Sequence, residues 1–181
     1  MGWWGRYVGI APNGQARIDY VINEEGMNAE DERFIWKPLA SSIKGAVIYF
    51  AIERTEKSTG DRIVFAHVCL TRMEKNGYLM IKSMDESVGP GYYDCPKRIL
   101  DMLTAPSNEW AENWRQKCAE RRHEKVHDPL LKCPIGTKVV RDDTGSILEA
   151  YKYRSRKVFV DWNERRYCTA SQLRQIGYRI L

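Results

Sequence analysis

The five cysteines of this chain, at positions 69, 95, 118, 133 and 168, form no CxxC pair, and their number is odd. That argues against a disulfide framework and for reduced, mostly buried thiols. No apolar run approaches the ~20 residues needed to span a bilayer. The start, Gly2-Trp3-Trp4-Gly5-Arg6 after Met1, lacks the basic-then-apolar order of a signal peptide. A soluble protein of the cytoplasm, with no membrane partner, is therefore expected. No phosphate-binding loop, dinucleotide fingerprint or nucleophile with an evident base appears, so the chain is not read as an enzyme and no cofactor is expected. Internal repeats and low-complexity segments are also missing. What is present is a globular composition: 181 residues, 43% hydrophobic, enough for one domain with a small added module.

Charge is unevenly distributed. Residues 133–181 hold ten Lys/Arg and five Asp/Glu, a balance of +5, whereas residues 1–132 hold nineteen of each and are neutral. The basic excess of the whole chain thus lies in its last quarter. Such asymmetry points to an anionic partner for the tail, with a merely solvated basic surface as the bland alternative.

The pattern along the chain is α+β. Trp3 to Ile10 reads as a first strand, turned by Pro12-Asn13-Gly14, and a short helix around Val21 to Gly26 follows. Phe34 to Leu39 and Ser42 to Glu53 read as strands. Val47 to Ile52 is nearly all apolar, which places it at the centre of a sheet covered on both faces. Arg62 to Thr71 and Tyr78 to Ser83 pair through the Asn76-Gly77 turn. The expectation is an antiparallel meander with two helices over residues 1–128. A linker over Leu130 to Pro134 then leads to a basic module over 133–181. There, strands at Gly136–Arg141, Ile147–Tyr153, Lys157–Trp162 and Tyr178–Leu181, a short Tyr167-Cys168 strand and a helical turn at Ser171–Ile176 match the outline of a small SH3-like β-barrel.

The stretch from Met84 to Cys118 is the most distinctive. An acidic loop turns through Gly89-Pro90-Gly91 into a helix whose expected cap is Asp94, with Pro96 in the first turn. Ile99, Leu100, Met102 and Leu103 give that helix a buried face, and Thr104-Ala105-Pro106 stops it. Ser107 is the expected cap of a second helix reaching about Lys125. Trp110, Trp114 and Cys118 would share one side of it, and Arg115, Lys117, Arg121 and Arg122 a solvated side.

Met1-Gly2-Trp3, Phe65 to Arg72, Met84-Asp85-Glu86, Gly89-Pro90, Cys95-Pro96, Ile99-Leu100-Asp101, Leu103-Thr104, Trp114-Arg115 and Cys118 together resemble a family of small, uncharacterised bacteriophage and mobile-element proteins. The resemblance covers most of the chain, more weakly the last third. It implies an accessory role in an infected bacterium, such as inhibition of host defence of the anti-CRISPR or anti-restriction type.

Three constellations could carry chemistry. Cys118, His123, His127 and Cys133 are metal-capable, and two histidines four apart on a helix share a face. Their spacing matches no standard zinc finger, so packed thiols with exposed histidines are favoured and no metal is expected. Asp85, Glu86 and Asp94 could hold a divalent cation or act as acid and base, but a cap and a solvated turn explain them more simply. The tail has the densest signal: Arg154, Arg156 and Lys157 in one turn, Arg165 and Arg166 in the next, and Tyr151, Tyr153, Phe159, Trp162 and Tyr167 between them. Basic groups neutralise phosphates and aromatic faces stack on bases. The nucleic-acid-binding set is therefore Arg154, Arg156, Lys157, Arg165, Arg166, Tyr153 and Trp162, with the two basic turns on the same or neighbouring rims. About half of the aromatics are expected in the module's own core. The partner is read as nucleic acid or a host defence nucleoprotein complex, with an acidic protein surface as the alternative. A neutral-to-basic chain is not built to mimic DNA. The remaining alternatives are a nucleic-acid-processing enzyme using the 85–94 loop and a pure protein-interaction module.

Overall fold

A computed structural model describes residues 2–154 and 156–181; within them the chain is mixed α+β, and every strand pairing is antiparallel. It divides into two compact units, one ending at Arg122 and the other running from His123 to Leu181. Among the described residues, no helix is long and apolar enough to cross a membrane.

The first unit contains β1 (Trp4–Tyr7), α1 (Gly14–Glu24), β2 (Ala29–Glu30), β3 (Phe34–Lys44), β4 (Val47–Glu56), β5 (Arg62–Met73) and β6 (Tyr78–Asp85). After a 3-10 turn at Glu86–Val88 come α2 (Lys97–Leu100) and α3 (Glu109–His127), the last of which runs past the division between the units. The six strands form one sheet in the order β1-β6-β5-β4-β3-β2. All six residues from Val47 to Ile52 are buried, and β4 is one of the two middle strands. Its odd-numbered side chains, Val47, Tyr49 and Ala51, pack with Cys95, Ile99, Trp114 and Cys118. Ile48, Phe50 and Ile52 pack on the other face with Ile18, Val21 and Met27. Each fully buried large side chain of this kind contributes roughly 1.5–3 kcal/mol.

Several local expectations are corrected. The helix expected near Val21 spans Gly14–Glu24, because Ile18 and Val21 both anchor it to the sheet; Gly26, with φ +62°, does follow its end. Ser42 belongs to β3, whose partly buried Ile43 packs on the core, and the chain turns instead at Gly45. Asp94 does not cap α2. Pro96 disfavours helical backbone at Cys95, so the helix starts at Lys97 with Pro96 in the cap position. The Asp94 amide donates to the Tyr49 hydroxyl (3.2 Å), and its carboxylate lies 3.7 Å from Arg121. α2 is a single turn, so Ile99 is buried but Met102, beyond its end, is exposed. Asn108, not Ser107, caps α3, its Oδ1 accepting from the Ala111 amide at 2.9 Å. Trp114 and Cys118 are buried, but Trp110 is exposed. It lies over the left-handed Gly89, where a Cβ would come within 3.1 Å of the ring.

The second unit holds α4 (Pro129–Lys132), β7 (Lys138–Arg141), β8 (Ile147–Tyr153), β9 (Arg156–Asp161), β10 (Arg166–Cys168), α5 (Ala170–Ile176) and β11 (Tyr178–Ile180), with sheet order β10-β9-β8-β7-β11. The segment expected to be a linker contains α4 instead. Asp128 caps it through the Leu130 amide (2.9 Å), and Leu130 and Cys133 join Val139, Leu148, Phe159 and Leu173 in the core. α5 begins with a capping box of Thr169 and Gln172 and ends at the left-handed Gly177.

Candidate functional site

Strand alternation builds the most distinctive surface of the molecule. On β8, Leu148 and Ala150 point into the core, which sends Tyr151 and Tyr153 to the opposite face. On β9, Lys157 and Phe159 take the core side, and Val158 and Val160 the outer side. Register then assembles the outer face: Tyr151 stands opposite Val158, Tyr153 opposite Arg156, and Tyr167 of β10 opposite Val160. Trp162, just past β9, completes the cluster.

Of the five tail aromatics, only Phe159 is core. Tyr151, Tyr153, Trp162 and Tyr167 are 43%, 51%, 58% and 64% exposed, so the expectation that about half would be buried is corrected. They pair among themselves. Tyr153 and Tyr167 stack with ring centroids 6.0 Å apart and planes 22° apart, whereas Tyr151 and Trp162 meet edge to face at 5.3 Å. Two open grooves of about 370 and 400 Å³ adjoin, sharing Tyr153, Val158 and Tyr167 as their common wall and floor. One continues to Tyr151, Trp162, Arg165 and Arg166; the other continues to Arg154, Arg156 and Thr169.

The basic groups bracket this face. β8, β9 and β10 are consecutive antiparallel neighbours, so the two turns lie at opposite ends of β9 rather than on one rim. Six residues at about 3.3 Å rise put them about 17 Å apart. Arg154, Arg156, Arg165 and Arg166 are all exposed; Ser155, in the expected first turn, lies outside the described residues. Arg154 holds its guanidinium 5.6 Å from the Tyr153 ring. Arg166 reaches Glu164 at 3.2 Å in an open surface pair. Arg154 and Arg165 both adopt left-handed backbone, with φ of 56° and 54°, a conformation that costs a side-chain-bearing residue roughly 1–2 kcal/mol. Lys157 differs from the other four: its ammonium donates to the Leu131 carbonyl (2.7 Å) and to that of Cys133, closing the end of α4 from the core side of β9.

The other two constellations are dispersed. Cys118 is buried in the first unit, and burial pushes its thiol up to about 12. The exposed His123 and His127 rings lie 4.2 Å apart, and the Cys133 thiol donates to the Leu130 carbonyl. Among the described residues, no three His, Cys, Asp or Glu side chains group as metal ligands. Asp85 caps the 3-10 turn by accepting from the Ser87 amide at 2.8 Å. Glu86 is 2% exposed and accepts from Arg115 at 2.7 Å through Nε, while Arg115 Nη1 also donates to the Thr104 carbonyl. Arg115 is therefore no part of a solvated side.

A second polar cluster was not legible in sequence because it joins four distant segments. Ser83 of β6 donates to Glu25, and His67 of β5 stands 3.8 Å from the same carboxylate. Burial pushes Glu25 up, but His67, Ser83 and Trp4 of β1 outweigh it and hold the carboxyl below its ordinary range. In the tail, the outward Val158 and Val160 were also missed as groove floor. Their alternation with Phe159 was the available signal. No protein-family model, curated protein or solved structure matches this chain.

Proposed function

We propose that this chain is a non-enzymatic accessory protein of a bacteriophage or other mobile element, acting in the cytoplasm of a bacterial host. It contacts nucleic acid, or a nucleoprotein complex of host defence, through the basic–aromatic face of its second unit, and inhibits a defence system of the CRISPR or restriction type. The observation that carries the binding part is the set of four half-exposed aromatic rings bracketed by four exposed arginines. Folding alone does not call for such a face, because the core is already supplied by Leu148, Ala150, Phe159 and Leu173 on the other side. The origin and the inhibitory role rest on the resemblance carried by Met1-Gly2-Trp3, Phe65 to Arg72 and the motifs between Met84 and Cys118. We also read the second unit as SH3-like. Its last strand, β11, pairs with its first, β7, and a short helix precedes that strand. An enzyme working through the 85–94 loop is less well supported, since Asp85, Glu86 and Asp94 all have structural partners.

Titration of labelled DNA and RNA across a salt series tests the binding. Lys157 is engaged internally, so four arginines are counted as phosphate contacts. Neutralising four phosphates gives a log–log salt slope of about −2.8 on single strands and about −3.6 on duplex. Replacing Arg154, Arg156, Arg165 and Arg166 with serine flattens that slope. Parent protein that ignores every nucleic acid at low salt overturns the reading and moves the weight to an acidic protein partner.

A further inference from the structure

We infer that the ligand of this face is a single-stranded segment of nucleic acid, with bases stacked on the aromatic rings and phosphates held at both ends of β9. The inference rests on the nucleic-acid reading above and narrows it. Three observations carry it. First, the exposed surface is made of ring faces and edges, which can meet the faces of unstacked bases only; in a duplex those faces are hidden within the stack. The stacked Tyr153–Tyr167 pair is the wall between two grooves, so a base can rest on either side of it.

Second, the floor is Val158 and Val160, which offer no donor or acceptor to a base edge. The charged lining groups are arginines, at the ends of the face. Such a surface stacks bases without reading their sequence, and it fixes the strand through its backbone. The same arginines decide against the other common occupant of an aromatic cluster. A quaternary ammonium or methylated lysine would be drawn to ring faces, but here it would meet four guanidinium charges, of which Arg166 is paired with Glu164, and no carboxylate among the lining residues.

Third, Arg154 and Arg165 are the two residues other than glycine, among those described, held in left-handed backbone, and they sit at the two ends of the aromatic face. Glycine would fill both positions at lower conformational cost. Arginine at both, with the Arg154 guanidinium already over the Tyr153 ring, is a strained placement of charge beside a stacking platform.

The experiment uses the full chain and short labelled oligothymidine, oligouridine and a duplex of equal length, read by anisotropy, with tryptophan fluorescence followed in parallel. Both single strands bind more tightly than duplex, and they quench a tryptophan signal that is absent from Trp162→Ala. The DNA and RNA arms show whether the sugar matters. Tyr153→Ala and Trp162→Ala each lower single-strand affinity roughly five- to 150-fold. Arg154→Gly and Arg165→Gly weaken binding without lowering the melting temperature, because glycine relieves the backbone they occupy, so lost binding is not mistaken for unfolding. Duplex bound as tightly as single strand, with the aromatic variants unaffected, overturns this inference and leaves the basic-face reading standing. Binding of polyglutamate with no nucleic acid bound at low salt overturns both.

Discussion

Replacing Arg115 with methionine removes the guanidinium that pairs with the Glu86 carboxylate. Glu86 is 2% exposed, and Arg115 holds it through two guanidinium nitrogens while a third donates to the Thr104 carbonyl. One side chain of α3 thus ties down the 3-10 turn after β6 and the middle of the α2–α3 connection. Removing one partner of a buried pair costs about 3–5 kcal/mol, because the remaining charge is uncompensated. The Arg115 side chain is 18% exposed, so water entering at that edge favours the lower end, about 3 kcal/mol. Urea unfolding followed by intrinsic tryptophan fluorescence, to which the buried Trp114 of the same unit contributes, measures the loss. The double variant Glu86→Leu with Arg115→Met removes both charges and recovers most of it, since replacing a whole buried pair with apolar groups is often neutral. A single variant within about 1 kcal/mol of the parent refutes the reasoning. So does a double variant as damaged as the single, which would place the cost in the Thr104 contact rather than in a stranded charge.

Two further predictions concern partly buried polar groups. Lys157→Met removes the donor to Leu131 and Cys133 and destabilises the second unit by about 1.5–3 kcal/mol; hydrogen exchange of α4 and β9 in the full chain reads the loss, and the salt slope of nucleic-acid binding stays unchanged. Glu25, held below its ordinary value of 4.5, contributes stability that is complete above that pH and is lost as pH falls through the depressed value. Glu25→Gln therefore narrows the difference in melting temperature between neutral and acid pH, and an unchanged acid dependence would count against it.

How much of the first unit could be read depended on distance along the chain. β4 was legible as a central strand because a continuous apolar run has one comfortable place in a sheet with helices on both sides. The Asn76-Gly77 turn was legible from the Asn-Gly pair itself, which favours a tight hairpin; Gly77 takes φ +87° and lies against the Tyr7 ring, where a Cβ would approach to 2.7 Å. Glu86 and Asp94 look equivalent in an acidic loop; what separates them is Arg115, 29 residues further on. The Glu25 cluster depends on sheet register in the same way. A local pattern reports an element and its ends, but a buried charge finds its partner through topology.

The tail shows the same limit, and its aromatic face follows from it. Basic turns and aromatic strands were visible in sequence, but the assignment of aromatics to core or surface required the parity of three strands relative to Phe159. Once Phe159, Leu148 and Ala150 point inward, Tyr151, Tyr153 and Tyr167 are committed to the other side. The parity that buries Phe159 also turns Lys157 inward, where it meets the carbonyls at the end of α4 and is withdrawn from the basic set. Burial of the aromatics would have been the cheaper arrangement, and ordinary solvation would have been better served by threonine or lysine on the outer face. Half-exposed rings stacked on one another keep a flat apolar surface accessible. The arginines at each end make it hospitable to an anion with flat faces of its own, and the single strand of unpaired bases proposed above meets both conditions.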